Sequence, residues 1–274
     1  MSDEQDLRAL AVEAARLGGG LLAERAARGA ERDIAAKSTP TDLVSEADLA
    51  SQRAIRELLA ARRPDDGFLG EEEGTDVQGS SGLRWIVDPL DGTVNFLFGI
   101  PQWCISVAVA DARGCTLAGA VYDPNRDELF TASSDGPALL RTPAGEIELH
   151  GGDADPHRAG DGAHEALSSA MVATGLAYDA RVRAVQGQVV AEVIRRVRDV
   201  RRLGSAALDL CWTAAGRFDA YYERSVKAWD VAAGELVCRR AGLEVVELPA
   251  TEDLPWGILA ARADLAAELH ALVG

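Results

Sequence analysis

The sequence predicts an α+β half followed by an α/β half within 274 residues. In the first half, two segments with helical spacing of apolar residues precede a series of strand-like segments. In the second half, strand-like and helix-like segments alternate, which is typical of βαβ units. The most loop-like stretch, residues 150–165, separates these textures. We therefore expect two parts, at 1–150 and 151–274.

The first half begins with two predicted amphipathic helices, at residues 5–28 and 45–62. The first helix contains a run of three glycines at 18–20, and each glycine costs about 1 kcal/mol against alanine in a helix. The run therefore marks either close packing or a break. Residues 31–44 are polar and predict a loop. The strands of an antiparallel sheet behind the two helices are expected at 83–87, 104–110, 116–122, 127–132 and 138–149.

The second half begins with a predicted short strand at residues 170–174. Beyond it, apolar residues recur at helical spacing in three segments, with β-rich segments between them. Helices are predicted at 181–198, 205–216 and 230–242. Strands are predicted at 200–203, 218–222 and 243–247.

Composition excludes several classes of protein. The hydrophobic content of 47% and the charged content of 26% are those of a globular protein. A formal net charge of −16 argues against a nucleic-acid partner, since binding phosphate backbones needs clustered Lys and Arg. No apolar run is long enough to predict a membrane span, and the acidic N-terminus lacks the basic start of a signal peptide. The scattered cysteines predict reduced thiols and a cytoplasmic location.

Residues 85–96, Trp-Ile-Val-Asp-Pro-Leu-Asp-Gly-Thr-Val-Asn-Phe, are the most informative run. An apolar strand is expected to end at Asp88, because Pro89 cannot donate to a ladder. Asp91 and Gly92 would then lie in a turn before a short helix. The amides of a helix start can hold an anion, but adjacent carboxylates repel an anion unless a hard cation lies between them. The run therefore predicts Mg²⁺ together with a phosphate ligand.

The same run resembles the first signature of the inositol monophosphatase family. Three further segments, 41–48, 68–72 and 228–242, resemble other elements of that family in the same order. Leu243 departs from the pattern, since it replaces the final glycine of the last element. The resemblance implies a layered αβαβα sandwich of the inositol monophosphatase and fructose-1,6-bisphosphatase type. It also implies a phosphatase that requires Mg²⁺ and is inhibited by lithium.

The metal ligands follow from the resemblance. It implies that one Mg²⁺ is held by Glu71, Asp88 and the backbone carbonyl of Leu90. A second Mg²⁺ is held by Asp88, Asp91 and Asp230, and a third ion is an alternative. Each carboxylate also has a purely structural interpretation. Asp88 and Asp91 fit turn positions, Asp230 fits a helix N-cap, and Glu71 fits a solvated acidic run.

The catalytic roles follow from the resemblance in the same way. It implies that Glu71 bridges a metal and the nucleophilic water, and that Thr93, hydrogen-bonded to Asp48, orients or deprotonates that water. The amides of Gly92 and Thr93 would bind the phosphoryl oxygens. A capping box formed by Ser45 and Asp48 is the structural alternative for the aspartate.

The substrate contacts are the last expectation. The resemblance implies that Glu223 accepts hydrogen bonds from adjacent hydroxyls of the substrate, and that Ser205 and Ala206 form a wall of small residues beside it. It also implies that Lys37 lies near the phosphate or a third ion. The structural alternatives are a surface carboxylate for Glu223, a helix N-cap for Ser205 and an ordinary surface lysine for Lys37.

The expected activity is hydrolysis of a small phosphate monoester, with myo-inositol 1-phosphate as the first choice. Histidinol phosphate, fructose 1,6-bisphosphate, 3′-phosphoadenosine 5′-phosphate and NADP(H) remain open as substrates. A regulatory binding protein that retains the fold is the alternative from another class. A homodimer is expected from the resemblance alone.

Overall fold

The computed structural model describes residues 3–28, 34–36, 43–72, 76–151 and 167–274. Lys37 and most of the predicted linker, from 152 onward, lie outside these residues. The described helices are α1 (Asp3–Arg28), α2 (Glu46–Arg62), α3 (Thr93–Leu97), α4 (Ala180–Val193), α5 (Ala206–Ala214), α6 (Ala228–Arg240) and α7 (Ala263–Val273).

The described strands form three sheets. The strands are β1 (Ile34–Ala36), β2 (Leu43–Ser45), β3 (Gly67–Gly70), β4 (Asp76–Val77), β5 (Arg84–Asp91), β6 (Cys104–Ala110), β7 (Thr116–Asp123), β8 (Glu128–Ser133), β9 (Leu139–Thr142), β10 (Gly145–Glu148), β11 (Met171–Thr174), β12 (Asp199–Arg201), β13 (Ala220–Arg224), β14 (Glu244–Leu248) and β15 (Gly257–Ala261). The sheet orders are β1-β2, β10-β9-β8-β7-β6-β5-β3-β4 and β12-β11-β13-β15-β14.

The elements stack in five layers, α, β, α, β, α, which confirms the expected sandwich. Helices α1 and α2 cover one face of the eight-stranded sheet. Helix α6 packs on β5–β8 at the opposite face of that sheet, and α5 and α6 also contact the five-stranded sheet. Helices α4 and α7 cover the outer face of the five-stranded sheet. The central helical layer therefore comes from the second half of the chain and joins the two sheets.

The glycine run in α1 marks close packing. The helix continues without a break through residues 18–20. A Cβ at Gly18 would lie 2.8 Å from Ile55 Cδ1 in α2, and a Cβ at Gly19 would lie 2.5 Å from the Tyr122 ring in β7. Gly20 faces open space. Two of the three glycines thus allow α1 to approach its neighbours.

Three sequence expectations need correction. The predicted loop at 31–44 includes two short strands, which pair with each other in antiparallel fashion. The predicted strand 138–149 is a hairpin, because the chain turns between β9 and β10. The second sheet is mixed and does not consist of βαβ units alone: β11 is parallel to β12 and β13, whereas β15 runs antiparallel to both β13 and β14. No element was predicted for β15 and α7, the last two elements.

Within the described ranges, no helix is both long and apolar enough to cross a membrane.

Candidate functional site

A β-bulge in β5 places the first two aspartates of the site. The strand runs through Pro89 to Asp91, so the prediction that it ends at Asp88 is wrong. Asp88 pairs with Ser106, and Asp91 pairs with Cys104. The chain advances by three residues on β5 between these pairs but by only two on β6, so β5 has one extra residue. The extra residue accommodates the proline, which has no N–H for the ladder. Residues three apart in a regular strand point to opposite faces, and the bulge removes that alternation for the two aspartates.

The backbone around the bulge is fixed by side chains. Asp88 Oδ1 accepts a hydrogen bond from the Leu90 N–H at 2.9 Å. Ser51 Oγ in α2 donates to the carbonyl oxygen of Pro89 at 2.9 Å. Gly92 follows with φ of 97°, a left-handed conformation that favours glycine, and α3 begins at Thr93 as predicted.

Asp91 links the two halves of the chain. Its Oδ2 accepts hydrogen bonds of 2.7 Å from both Ser205 Oγ and the Ala207 N–H, at the start of α5. Ser205 is also the N-cap of α5, because its Oγ accepts from the Leu208 N–H. The N-cap interpretation of Ser205 is therefore confirmed, and the same side chain contacts a predicted metal ligand.

Glu71 and Asp230 approach the aspartates of β5 from two other elements. Glu71 directly follows β3, which runs parallel to β5, and its N–H donates to the Val87 carbonyl at 3.1 Å. Asp230 lies in the first turn of α6, and its Oδ2 accepts from the Lys227 N–H at 2.6 Å. The interpretation of Asp230 as the N-cap is therefore wrong: the N-cap is Lys227, and Asp230 is the third helical residue of a capping box. Its carboxylate keeps further acceptor capacity.

The four carboxylates interact strongly with one another. Burial and the charges of Glu71, Asp91 and Asp230 raise the pKa of Asp88 well above its ordinary value. Burial and the charges of Asp91 and Glu71 do the same to the pKa of Asp230. The pKa of Asp91 rises to about 6, mainly through burial and partly through Glu71, although Ser205 and Ala207 oppose the shift. Negative charge is therefore concentrated here, with a strong tendency to take up a cation or protons.

The donor chemistry of this cluster fits Mg²⁺, which takes carboxylate and carbonyl oxygens. Among the described residues, no group of three or more His, Cys, Asp or Glu side chains is arranged to hold a metal ion. Asp88, Asp91 and Asp230 each accept a hydrogen bond from a backbone N–H of the protein. A carboxylate offers about four lone-pair positions, so these bonds do not exhaust it as a ligand.

The expected contact between Thr93 and Asp48 is present. Thr93 Oγ1 lies 2.9 Å from Asp48 Oδ1 and 3.1 Å from the Leu90 carbonyl oxygen. Both side chains are buried, with Asp48 fully inaccessible. The alternative capping role with Ser45 falls on a side chain outside the described ones. The structure therefore joins α2, β5 and α3 at one hydroxyl group.

Glu223 lies on β13, on the second-half side of the site. Its Oε2 accepts a 2.9 Å hydrogen bond from the hydroxyl of Tyr221. Burial raises the pKa of Glu223 to about 7, against the opposing effects of Tyr221 and Arg202. The carboxylates of Glu223 and Asp230 also interact, so Glu223 belongs to the same acidic region. Ala206 is buried at the start of α5, close to Asp91.

Sequence reasoning missed Asp209 in α5. Its side chain is 1% exposed, and neither carboxylate oxygen has a hydrogen-bond partner among the described residues. Burial and the charges of Glu223 and Asp91 raise its pKa well above the ordinary value. An aspartate four residues after the helix N-cap, among apolar neighbours, was the available signal. Lys37 lies outside the described residues, so its expected role is not addressed by the geometry.

Comparison with known proteins identifies the family of this fold. The model of the inositol monophosphatase family matches residues 3–273. The "Inositol-1-monophosphatase SuhB" of Mycobacterium tuberculosis is 43% identical over 246 residues, covering 86% of this chain and 81% of that protein. The "Nus factor SuhB" of Pasteurella multocida is 38% identical over 234 residues, covering 85% of this chain and 82% of that protein.

A solved structure gives the same result for the fold. The extragenic suppressor protein SuhB from Bartonella henselae superposes with a TM-score of 0.83 at 31% identity, over 98% of each chain. The family match extends over nearly all the described residues and includes every element that carries the acidic cluster. The chain therefore belongs to the inositol monophosphatase family and is a phosphatase, a hydrolase of phosphoric monoesters.

Proposed function

We propose that this phosphatase requires Mg²⁺ and hydrolyses a small phosphate monoester, with myo-inositol 1-phosphate as the first candidate. The observation that carries the metal requirement is the raised pKa of Asp88, Asp91 and Asp230, to which the charge of Glu71 contributes in each case. A divalent cation removes this repulsion and lets a phosphate approach an otherwise negative region. The site would lie between the proposed parts 1–150 and 151–274.

The ligands are assigned by chemistry and position. Glu71, Asp88 and the Leu90 carbonyl would hold one Mg²⁺, while Asp88, Asp91 and Asp230 would hold a second; a third ion remains an alternative. When bound, Mg²⁺ lowers the pKa of a bound water and stabilises charge on the departing oxygen. Ser205 and the Ala207 N–H fix the orientation of Asp91 toward this centre.

The protein groups around the reacting water are Thr93, Asp48 and Glu71. Since Asp48 accepts the hydroxyl proton of Thr93, the lone pairs of that hydroxyl can accept a hydrogen bond from a water. Glu71 would accept a hydrogen bond from the other O–H of the same water. The amides of Gly92 and Thr93 would donate to the phosphoryl oxygens as charge develops on them. Asp48 is in this account a positioning residue.

The alcohol side of the substrate would be recognised by Glu223. Its carboxylate is partly exposed and interacts electrostatically with Asp230. Two carboxylate oxygens suit two adjacent hydroxyls, which favours a polyol phosphate. The name of the M. tuberculosis relative points the same way. Ser205 and Ala206 would form the small wall beside the substrate, and Lys37 would lie near the phosphate.

A phosphate-release panel tests the substrate. The wild-type protein is incubated with myo-inositol 1-phosphate, histidinol phosphate, fructose 1,6-bisphosphate, 3′-phosphoadenosine 5′-phosphate and NADP, each with and without Mg²⁺. The highest kcat/KM is expected for myo-inositol 1-phosphate, only with Mg²⁺, and with inhibition by Li⁺. A higher kcat/KM on another substrate of the panel would contradict the proposal of myo-inositol 1-phosphate. It would not contradict the phosphatase activity.

A regulatory role is a second candidate, favoured by the name "Nus factor SuhB" of the P. multocida relative. Such a role would depend on a protein or RNA partner and would not need the acidic cluster. Co-purification with a defined partner that is unaffected by Asp91→Asn would separate this role from catalysis.

Assembly and location are also proposals. We expect a homodimer by family resemblance, and light scattering that shows a monomer at micromolar concentration would contradict it. All four cysteines are unpaired, and Cys104, Cys211 and Cys238 are buried. Unpaired thiols are typical of a reducing compartment, so we place the protein in the cytoplasm.

A further inference from the structure

Gly175 lies against the carboxylate of Glu223. A Cβ built on Gly175 would be 1.9 Å from Glu223 Cδ and Oε2 and 2.0 Å from Oε1. Contacts this short are physically impossible, so any side chain at position 175 and the present position of the carboxylate exclude each other. This is the shortest such contact for any glycine of the described residues.

Sheet register explains the contact. Strands β11 and β13 are parallel, and their last pairs are Ala173 with Tyr221 and Thr174 with Tyr222. The next residues along these strands are Gly175 and Glu223, so the two become neighbours at the strand ends. Alternation places positions 173 and 175 on the same face as positions 221 and 223.

The glycine is not needed for backbone conformation. Gly175 does not have the positive φ that Gly92 and Gly204 have. Alanine can therefore adopt this backbone without strain. What the position requires is the absence of a side chain.

A second contact holds the carboxylate from its own strand. The hydroxyl of Tyr221, a fully buried residue, donates to Glu223 Oε2 at 2.9 Å. Together Gly175 and Tyr221 form the Glu223 seat, with space supplied by one residue and a hydrogen bond by the other. Asp209, which has no hydrogen-bond partner in the described structure, lies near enough to interact electrostatically with both Glu223 and Tyr221.

We propose that Gly175 is a specificity-determining residue: by leaving room for Glu223, it fixes the carboxylate where it accepts hydrogen bonds from the hydroxyls of a polyol phosphate. This inference rests on the proposed function. It predicts that a side chain at position 175 weakens recognition of the alcohol and leaves the phosphate chemistry unchanged. Gly175 touches neither the substrate nor the reacting atoms and acts through Glu223.

The test compares Gly175→Ala with Gly187→Ala. Gly187 lies in α4, is exposed, and has no atom within 4 Å of a built Cβ, so it is the matched control. KM and kcat are measured on myo-inositol 1-phosphate and on an aryl phosphate without adjacent hydroxyls. Gly175→Ala should raise KM for the inositol phosphate by about tenfold or more and leave its kcat nearly unchanged. For the aryl phosphate, neither KM nor kcat should change much. Gly187→Ala should leave KM and kcat unchanged for both substrates.

A double-mutant cycle with Glu223→Ala shows whether the effect passes through the carboxylate. When Glu223 is already alanine, Gly175→Ala should cause no further rise in KM, because nothing remains to be displaced. The same cycle is measured by thermal unfolding. Gly175→Ala should lower the Tm of the wild type by about 2–4 °C or more and have a smaller effect in the Glu223→Ala background.

The outcomes are distinct. Equal losses on both substrates, or losses that persist in the Glu223→Ala background, would overturn the inference. Release of phosphate from neither substrate by the wild type would instead overturn the proposed function. In that case the unfolding cycle, which needs no activity, still decides whether Gly175 makes room for Glu223, and additive Tm shifts would contradict it.

Discussion

Asp91 shows how single atoms connect the two halves of the chain. Its carboxylate belongs to β5, but the groups that orient it, Ser205 Oγ and the Ala207 N–H, belong to α5. The start of a helix supplies N–H groups without intrahelical partners, and such groups stabilise a negative charge. The second half of the chain therefore holds a proposed metal ligand of the first half.

The same geometry predicts unequal effects for two isosteric substitutions. Asp91→Asn removes one charge from the centre but keeps an oxygen that can accept from Ala207, so the fold should survive. Asp48→Asn acts through Thr93 and not on a metal ligand, and should lower kcat by about 10–100-fold, the effect usual for groups that support a metal site from outside its ligands. Asp91→Asn should lower kcat further than that. Both variants are assayed at saturating Mg²⁺, with thermal unfolding as the control for folding. Near-normal turnover of Asp91→Asn would contradict its role as a ligand.

At the scale of elements, β5 and α1 show what the sequence could and could not predict. The apolar triplet before Asp88 predicted a strand, and the glycine after Asp91 predicted a turn. The continuation of the strand through Pro89 was not predictable, because it depends on a bulge and on the register with β6. Likewise the three glycines of α1 signalled close packing or a break, and only the neighbours decide between these.

Element packing also explains the other differences. Without β15 and α7, the predicted strands and helices of the second half alternate as in βαβ units. The direction of each strand depends on which strands become its neighbours, and a linear pattern does not show this. The strands β1 and β2 pair with each other and have three residues each, which is too short for an alternating pattern to mark them. Asp88 and Asp91 were predictable as metal-ligand candidates because a local motif marks them, although the bulge sets their directions. Asp209 and Gly175 were not, because their neighbours come from other elements.

Two adjacent glycines of α1 give a matched test of helix packing. Gly20→Ala fills open space and should stabilise the protein by up to about 1 kcal/mol, since alanine is the better helix former. Gly19→Ala brings the same gain, but its Cβ would collide with the Tyr122 ring. Overpacking costs about 1–3 kcal/mol, so the net effect should be destabilising. Urea unfolding measures both. Equal stabilisation by the two variants would show that α1 does not approach β7 so closely.

At the scale of the whole molecule, the fold concentrates negative charge between two layers that come from different parts of the chain. Asp88 and Asp91 lie in the eight-stranded sheet and Glu71 directly follows it, whereas Asp230 and Glu223 belong to the second half. Three apolar clusters join neighbouring layers, and the cluster around α5 and α6 includes residues of both sheets. Packing thus stabilises an arrangement that electrostatic repulsion opposes when no cation is bound.

This opposition predicts how stability depends on pH without metal. Burial raises the pKa of Asp91 to about 6 from an ordinary 3.8, and that of Glu223 to about 7 from 4.5. The folded protein therefore binds these protons more tightly than the unfolded chain does. Their stabilising contribution is complete below about pH 4 and is lost as the pH rises through 6 and 7. In the presence of a chelator, the Tm should fall from pH 5 to pH 8.

Adding Mg²⁺ should reverse this loss, and the gain in Tm should be larger at pH 8 than at pH 5, because protons compete with the cation for the same oxygens. Sodium chloride at matched ionic strength is the control for general screening. A gain that is independent of pH would show that Mg²⁺ binds elsewhere.

Phosphate release from the metal-free protein tests the central claim most directly. The wild-type protein is treated with excess chelator, assayed on myo-inositol 1-phosphate and on an aryl phosphate, and then titrated with Mg²⁺. We expect no release in chelator, because the protein groups of the site carry negative charge and repel the phosphate until a cation binds. Release should return with saturating dependence on Mg²⁺. Full activity in the presence of excess chelator would contradict the account.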